Sequence, residues 1–325
     1  MRAAYVPAHN RIEVGDFPRP VAQRAGDLVV QMHRASICGS DVHAVFDGFL
    51  EPDAVGAPGY PGHEGVGVVV ESCSTLFAPG EWVLTVPVST CGGCFTEYQL
   101  IDDGHVVALP EGGDPERLLM AQQYGTTLYA MRTFWQGGHA GTVAIIGAGS
   151  AGLFFVQEAR LLGFSNILIS DLNEERLAVA SSLGANVTVL APAGSLIDAV
   201  KQVTNGVGAD LVIEAAGYDS LRADAIEAVR NQGTVGFFGY PQQYGMAQFP
   251  MYAAFRKSAR IQWVVGTQSE PGLVAFRDAI QHINTGLIEV DYCLTSTFAL
   301  EKISEAMQVA REQGHGAVKL MVDLT

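Results

Sequence analysis

The sequence predicts an α/β protein in which a doubly wound, six-stranded parallel sheet is inserted into a β-rich domain. Three observations carry that prediction. Short β-branched runs separated by Pro and Gly turns fill roughly the first third of the chain. The middle alternates apolar runs with helical patterns. A glycine-rich turn joins the first of those runs to the first of those helices. The 325 residues suffice for about two domains, and 48% apolar against 16% charged residues is a folding composition.

In order along the chain, residues 28–31, 66–70, 82–86 and 106–109 read as strands, with turns at Ala78-Pro79-Gly80 and at 110–113. Six apolar runs follow, at 142–146, 167–170, 187–190, 209–213, 234–238 and 261–265. Helical patterns at 151–162, 173–183 and 219–230 separate them, the second opening on Asn173 with Glu174 and Glu175 at the positive end of its dipole. Strand–helix alternation means βαβ units, and six strands is the count of a two-half dinucleotide-binding fold. Helical patterns at 273–285 and 301–313 precede a strand at 317–322, which is expected to return to the first sheet. Domains are therefore expected over 1–120 with 267–325, and over 121–266.

Nineteen Lys and Arg against 34 Asp and Glu give a formal net charge of -15, a field that repels nucleic acid. Residues 133–157 hold no Asp, Glu, Lys or Arg, but six glycines with Gln136 and His139 make them a loop between buried elements, not a membrane span. Arg11, Glu13 and Asp16 leave no apolar signal segment, so a cytoplasmic protein is expected. Five cysteines, an odd and sparse set, fit a reducing compartment and metal or catalytic use.

The run ending at Ile146 passes directly into Gly147-Ala148-Gly149-Ser150-Ala151-Gly152 and a helix. Gly147 serves the tight turn, Gly149 the approach of a pyrophosphate, and Gly152 close helix–strand packing, with Ser150 and Ala151 at the helix start. This is the Rossmann fingerprint in its expected context. Asp171 ends the second strand, where a carboxylate accepts from ribose hydroxyls and repels a 2′-phosphate, so NAD(H) is favoured over NADP(H). Capping of the next helix is a compatible second role for Asp171, and Arg176 joins the candidate cofactor contacts.

Two further segments carry chemistry: Cys38-Gly39-Ser40-Asp41-Val42-His43 and Gly62-His63-Glu64-Gly65-Val66-Gly67. Cys, His and Glu are all zinc ligands. With Pro79-Gly80-Glu81-Trp82-Val83, Phe95-Thr96-Glu97-Tyr98, the glycine turn and Gly316-Ala317-Val318-Lys319, the chain resembles the medium-chain dehydrogenase/reductase superfamily, zinc-containing alcohol and polyol dehydrogenase branch. The resemblance implies a GroES-like catalytic domain around the Rossmann domain, one catalytic zinc, and oxidation of a secondary alcohol or polyol, or reduction of its ketone or aldehyde. It implies Cys38 and His63 as ligands, Glu64 as a ligand or close neighbour, and Asp41 as the carboxylate orienting the histidine. It implies Ser40 as acceptor of the substrate hydroxyl proton, His43 as the shuttle to solvent, and Lys319 as a basic contact to the cofactor.

Two departures from the pattern stand out. After Cys91-Gly92-Gly93-Cys94 the structural-zinc lobe of many relatives is missing, and two thiolates cannot close a four-ligand site, so no structural zinc is expected. The pair reads as inert thiols, a redox pair or a weak metal site. Where relatives supply a further ligand, this chain offers Gln122 and Gln123. Either Glu64 coordinates directly, or the metal is weakly bound, exchangeable or absent. Cys73 and Cys293 read as buried small residues. Substrate-reading residues are expected within 45–61, 89–95, 122–124, 239–256 and 266–271, which include Phe46, Phe49, Tyr60, Tyr240, Tyr244 and Tyr252. A metal-free reductase and a non-catalytic nucleotide-binding descendant are the competing readings. A small-molecule substrate is expected, and the run at 261–265, with Trp263, matches the edge by which relatives pair into homodimers or homotetramers.

Overall fold

The computed structural model describes residues 1–88, 93–242 and 245–325; Cys91 and Tyr244 lie outside the described residues. The chain divides into two compact units, one of Met1–Gly125 with Gly266–Thr325 and one of Thr126–Val265. It opens with β1 (Arg2–Ala8), β2 (Arg11–Asp16), β3 (Asp27–Ile37), α1 (Gly39–Phe46), β4 (Gly65–Ser72), β5 (Trp82–Thr85), β6 (Tyr98–Asp102), β7 (Val106–Ala108), α2 (Pro115–Leu119) and α3 (Ala121–Phe134). β1 and β2 form an antiparallel pair of their own. The long β3 is the hub of the larger sheet, pairing antiparallel with β4 and with β6. Its apolar residues Leu28, Val30, Met32, Ala35 and Ile37 join the core of this unit, beside Tyr60, Val69, Val83 and Phe95.

The second unit holds β8 (Thr142–Ile146), α4 (Ser150–Leu161), β9 (Asn166–Asp171), α5 (Glu174–Leu183), β10 (Val187–Leu190), α6 (Leu196–Val203), β11 (Ala209–Glu214), α7 (Asp219–Ala228), β12 (Val229–Phe237), α8 (Met251–Lys257) and β13 (Arg260–Trp263). All neighbouring strands are parallel, in the order β10-β9-β8-β11-β12-β13. This is the doubly wound order expected from six alternating runs. Position in the sheet explains the residues: central β8 is buried at all five positions, whereas edge β10 and β13 leave Leu190 and Trp263 exposed. Asn173 caps α5 as expected, its side chain accepting from the Arg176 amide at 2.9 Å.

After the second unit come α9 (Val274–Asn284), β14 (Thr297–Ala299), α10 (Ile303–Arg311) and β15 (Leu320–Asp323). As expected, the last strand returns to the first sheet, where β15 pairs antiparallel with β3 and parallel with β14. Cys293 is buried, as read from the sequence, but Cys73 is exposed: it follows β4, where the chain turns back toward the Asp27 carbonyl that receives its amide. Among the described residues no helix is long and apolar enough to cross a membrane.

One buried charge inside the second unit has a measurable consequence. Glu158 lies on α4 at 2% exposure; the Thr127 hydroxyl donates to its Oε1 at 2.8 Å, while Oε2 has no hydrogen-bond partner among the described residues. Burial pushes this carboxyl well above the usual range, against the weaker lowering influence of Thr127 and Arg132. A carboxyl so raised keeps in the folded state a proton that the unfolded chain has released, so stability falls as pH rises above the ordinary Glu range. Glu158→Gln should therefore raise the melting temperature at pH 8 by about 2–4 °C, the shift of about 1 kcal/mol in a domain of this size, and by less at pH 5. Calorimetry at the two pH values checks this; an equal or reversed difference would refute it.

Candidate metal and nucleotide site

Strand register assembles the first cluster. β3 ends at Ile37, which pairs with Leu320 of β15, and Ala35 pairs with Gly65 of β4. Cys38 follows β3, His63 and Glu64 precede β4, and Lys319 precedes β15, so four chemical side chains gather at one end of three paired strands. Space is tight at Gly65, where a Cβ would come 2.3 Å from Met32 Cε and 3.1 Å from Cys94 Sγ, so any side chain there would push these neighbours aside.

Ligand atoms of Cys38, His63 and Glu64 all lie within 4.8 Å of one another. His63 is buried, with Nδ1 2.9 Å from Asp41 Oδ1, and it lies beside the Cys38 thiol. Asp41 uses its other oxygen to accept from the Cys38 amide at 2.8 Å, so one carboxylate positions both neighbours. Burial disfavours a charged imidazole at His63, but the Asp41 carboxylate and Cys38 outweigh it and push the ring well above its usual value.

Glu64 is held from the other side. Lys319 Nζ lies 2.7 Å from its Oε2 and 3.0 Å from its Oε1, and the Ser36 hydroxyl donates to Oε2. Burial would raise this carboxyl, yet the Lys319 and His63 charges hold it below the usual range. Burial would likewise lower Lys319, and Glu64 raises it instead. The resemblance assigns Lys319 to the cofactor; the structure turns its ammonium to Glu64 and, at 2.8 Å, to the side-chain oxygen of Gln123, at 4% exposure. Gln123 thus accepts from an ammonium, and Gln122 is buried at 2% exposure. Sequence reasoning missed this ion pair, since 255 residues separate its partners.

The donor set fits a zinc ion. A thiol, an imidazole and a carboxylate converge, with the imidazole oriented by Asp41 in the manner of metal-binding histidines. The tension lies at Glu64, which would have to share its oxygens with Lys319. Ser40 stands half-buried in the first turn of α1, and its hydroxyl makes no hydrogen bond among the described residues. His43, further along the same helix, lies 2.7 Å through Nδ1 from Asp47 Oδ2, a partner the sequence reading did not single out although it stands at i+4.

The glycine turn of the second unit also has the expected geometry. Gly147 adopts φ +98°, and a Cβ on Gly152 would fall 1.8 Å from the Gly147 carbonyl oxygen. A Cβ on Gly149 would meet nothing within 4 Å, which leaves open space over the start of α4. Asp171 ends β9; its Oδ2 accepts from the Ala148 amide at 2.6 Å and its Oδ1 from the Asn173 amide at 2.8 Å. Arg176 lies in the first turn of α5, and burial lowers its guanidinium against the raising effect of Asp171. An open α4 N-terminus with a carboxylate at the end of the next strand fits a dinucleotide.

Several remaining candidates take structural places. Tyr60 is 1% exposed in the core, with the Glu51 amide donating to its hydroxyl, so it is packing rather than pocket wall. Phe49 lies edge-on to His43 with centroids 5.7 Å apart, while Tyr240 and Tyr252 are exposed. Cys94 is buried beside Thr85 and Gln99, and burial pushes its thiol up to about 12, which makes it an inert thiol.

Comparison with known proteins gives the same picture. Residues 24–111 match the family described as "Alcohol dehydrogenase GroES-like domain", and residues 151–285 match "Zinc-binding dehydrogenase". The chain is 30% identical over 275 residues to "Medium chain reductase/dehydrogenase ucsI" of Acremonium sp, across 74% of this chain and 93% of that protein. It is 25% identical over 350 residues to sorbitol dehydrogenase of Bacillus subtilis (strain 168), across 99% of this chain and 97% of that one. Alcohol dehydrogenase TADH from Thermus sp. ATN1, a solved structure, matches with a TM-score of 0.85 at 25% identity and covers 100% of both chains. With both units matched and the paired glycine turn and Cys–His–Glu cluster in place, the chain belongs to the medium-chain dehydrogenase/reductase superfamily, in its zinc-containing alcohol and polyol dehydrogenase branch.

Proposed function

We propose that this protein is an NAD(H)-dependent, zinc-dependent oxidoreductase that interconverts a secondary alcohol or polyol and the corresponding carbonyl compound. The observation that carries the reading is the Cys38–His63–Glu64 cluster with Asp41 on the histidine. Its similarity to a sorbitol dehydrogenase supports the polyol class. Cys38, His63 and Glu64 would hold the metal, and Asp41 fixes the ring of His63 so that one nitrogen faces the site. Zinc, when bound, supplies Lewis-acid polarisation of the alcohol or carbonyl oxygen. Ser40 takes the proton of the substrate hydroxyl and His43 passes it toward solvent. In the second unit, the amides at the start of α4 bind pyrophosphate and Asp171 holds the adenosine ribose hydroxyls.

A weakly held, exchangeable metal is the second reading, and the Lys319–Glu64 pair is the observation favouring it. Elemental analysis of protein purified without added metal or chelator tests both. About one zinc per chain that survives dialysis supports the first reading. Metal lost on dialysis, with activity restored by added zinc, supports the second. No zinc and metal-independent turnover would overturn both.

The exposed edge of the second unit supports self-association. Among the described residues β13 pairs only with β12, and Trp263 is 57% exposed there, packed on Phe237 with centroids 4.5 Å apart. We infer that this edge joins copies of the chain into a homodimer or homotetramer.

Three outcomes follow. Cys38→Ser should lose zinc to background in elemental analysis and lose turnover with it; full activity would remove the zinc reading. Asp171→Asn keeps an acceptor for Ala148 but removes the charge, and should cut the NAD over NADP ratio of kcat/KM by about tenfold, the equivalent of about 1.4 kcal/mol; an unchanged ratio argues against the role. Trp263→Glu should halve or quarter the mass seen by light scattering, and an unchanged mass would place the interface elsewhere.

A further inference from the structure

We propose that Asp47 is the positioning partner of His43: it fixes which imidazole nitrogen receives the proton and carries the proton of the other nitrogen on to water. The inference rests on the proposed Ser40–His43 relay and adds a member to it.

The geometry is local to α1 and the turn that follows. His43 Nδ1 lies 2.7 Å from Asp47 Oδ2. An ionised carboxylate can only accept, so the hydrogen of a neutral ring must sit on Nδ1, and Nε2 is left with its lone pair as the proton acceptor. Local contacts among the described residues help fix the residue. The His43 carbonyl accepts from the Asp47 amide at 3.0 Å and from the Phe49 amide at 3.3 Å, which folds the chain back over the helix end. The buried Phe49 ring meets the imidazole edge-on. The carboxylate meets the ring at Nδ1, the nitrogen whose hydrogen decides the tautomer.

Placement also gives direction. Ser40 and His43 stand three apart on α1 and so share a face, and Asp47 follows four residues beyond His43 at the C-terminal end. The side chains become more open along that line, with His43 at 24% and Asp47 at 34% exposure. A proton arriving on Nε2 from the Ser40 side makes the ring cationic. Nδ1 then releases its own proton to Asp47 Oδ2, and Asp47 gives it to water, which leaves a carboxylate and a neutral ring with its hydrogen on Nε2; exchange with water, one proton gained at Nδ1 and one lost from Nε2, returns the tautomer the carboxylate favours before the next turnover. No oxidant or further reactant is needed. As a bare surface ion pair the contact would be worth little; its value lies in the tautomer it selects.

The test uses the full-length enzyme and three variants: Asp47→Asn, Asp47→Glu and His43→Gln. Long-range 1H–15N NMR of the imidazole should show His43 of the native protein with its hydrogen on Nδ1, and Asp47→Asn should shift the population toward hydrogen on Nε2. In the same variant kcat for alcohol oxidation should fall roughly ten- to hundredfold, within the range of general acid–base contributions, while KM for alcohol and for NAD changes less than about twofold. Asp47→Glu should recover most of kcat. Native turnover in Asp47→Asn while His43→Gln is slow would overturn the role of Asp47 and leave the relay standing. Native turnover in His43→Gln would instead overturn the relay reading, and the role of Asp47 with it. A parallel change in kcat and KM without a tautomer shift would make the contact purely structural and also refute the proposal.

Discussion

The register of β15, β3 and β4 is the constraint on which the candidate site depends. Pairing Leu320 with Ile37 and Ala35 with Gly65 leaves Cys38, His63, Glu64 and Lys319 just beyond the strand ends, on one side of the sheet. A one-residue slip in a strand turns every side chain to the opposite face, so the cluster and the core of this unit are specified together. The apolar faces of β3 and β4 set the register for packing reasons, and the chemistry inherits it.

Within the cluster, charge is arranged in two opposed pairs. Asp41 faces His63, Lys319 faces Glu64, and all four groups are buried. Removing one member of such a pair strands its partner in a low-dielectric interior, a loss of about 3–5 kcal/mol. Gln123 fits this logic: a neutral amide oxygen completes the shell of the lysine without adding a third negative charge. The glutamine that departs from the usual ligand pattern therefore has a structural occupation of its own, one that depends on the lysine.

Much of the fold was legible because central parallel strands are buried on both faces and read as uninterrupted apolar runs, as at Thr142–Ile146. The boundaries moved where exposed residues interrupt the apolar run, at Asn231 and Gln232 within β12 and at Arg260 at the start of β13. Helix α3 escaped notice because Gln122, Gln123, Gly125 and three threonines blur its apolar stripe. Cys38, His63 and Glu64 were legible from residue type and local motif, and Asp41 from its place between them. The ion pair of Lys319 left no local signal: only the return of β15 brings it to Glu64. Asp47 differed in kind, since i,i+4 spacing on a short helix was visible and carried no weight without a known helix. Tyr60 looked like a pocket aromatic and proved to be core because its hydroxyl finds the Glu51 amide.

The distance along the chain between Glu64 and Lys319 has a meaning for biosynthesis. Their contact spans 255 residues, so the acid waits for the base while the whole nucleotide-binding unit is made. At about 5–20 residues per second that wait is on the order of 10–50 s. During it the β3–β4 hairpin can form, but Glu64 has only the Ser36 hydroxyl and the imidazole side for company, and a nascent chain can keep that carboxylate in water. The first unit is thus begun before the second and completed after it, and the buried Glu64–Lys319 pair closes only when β15 has been made.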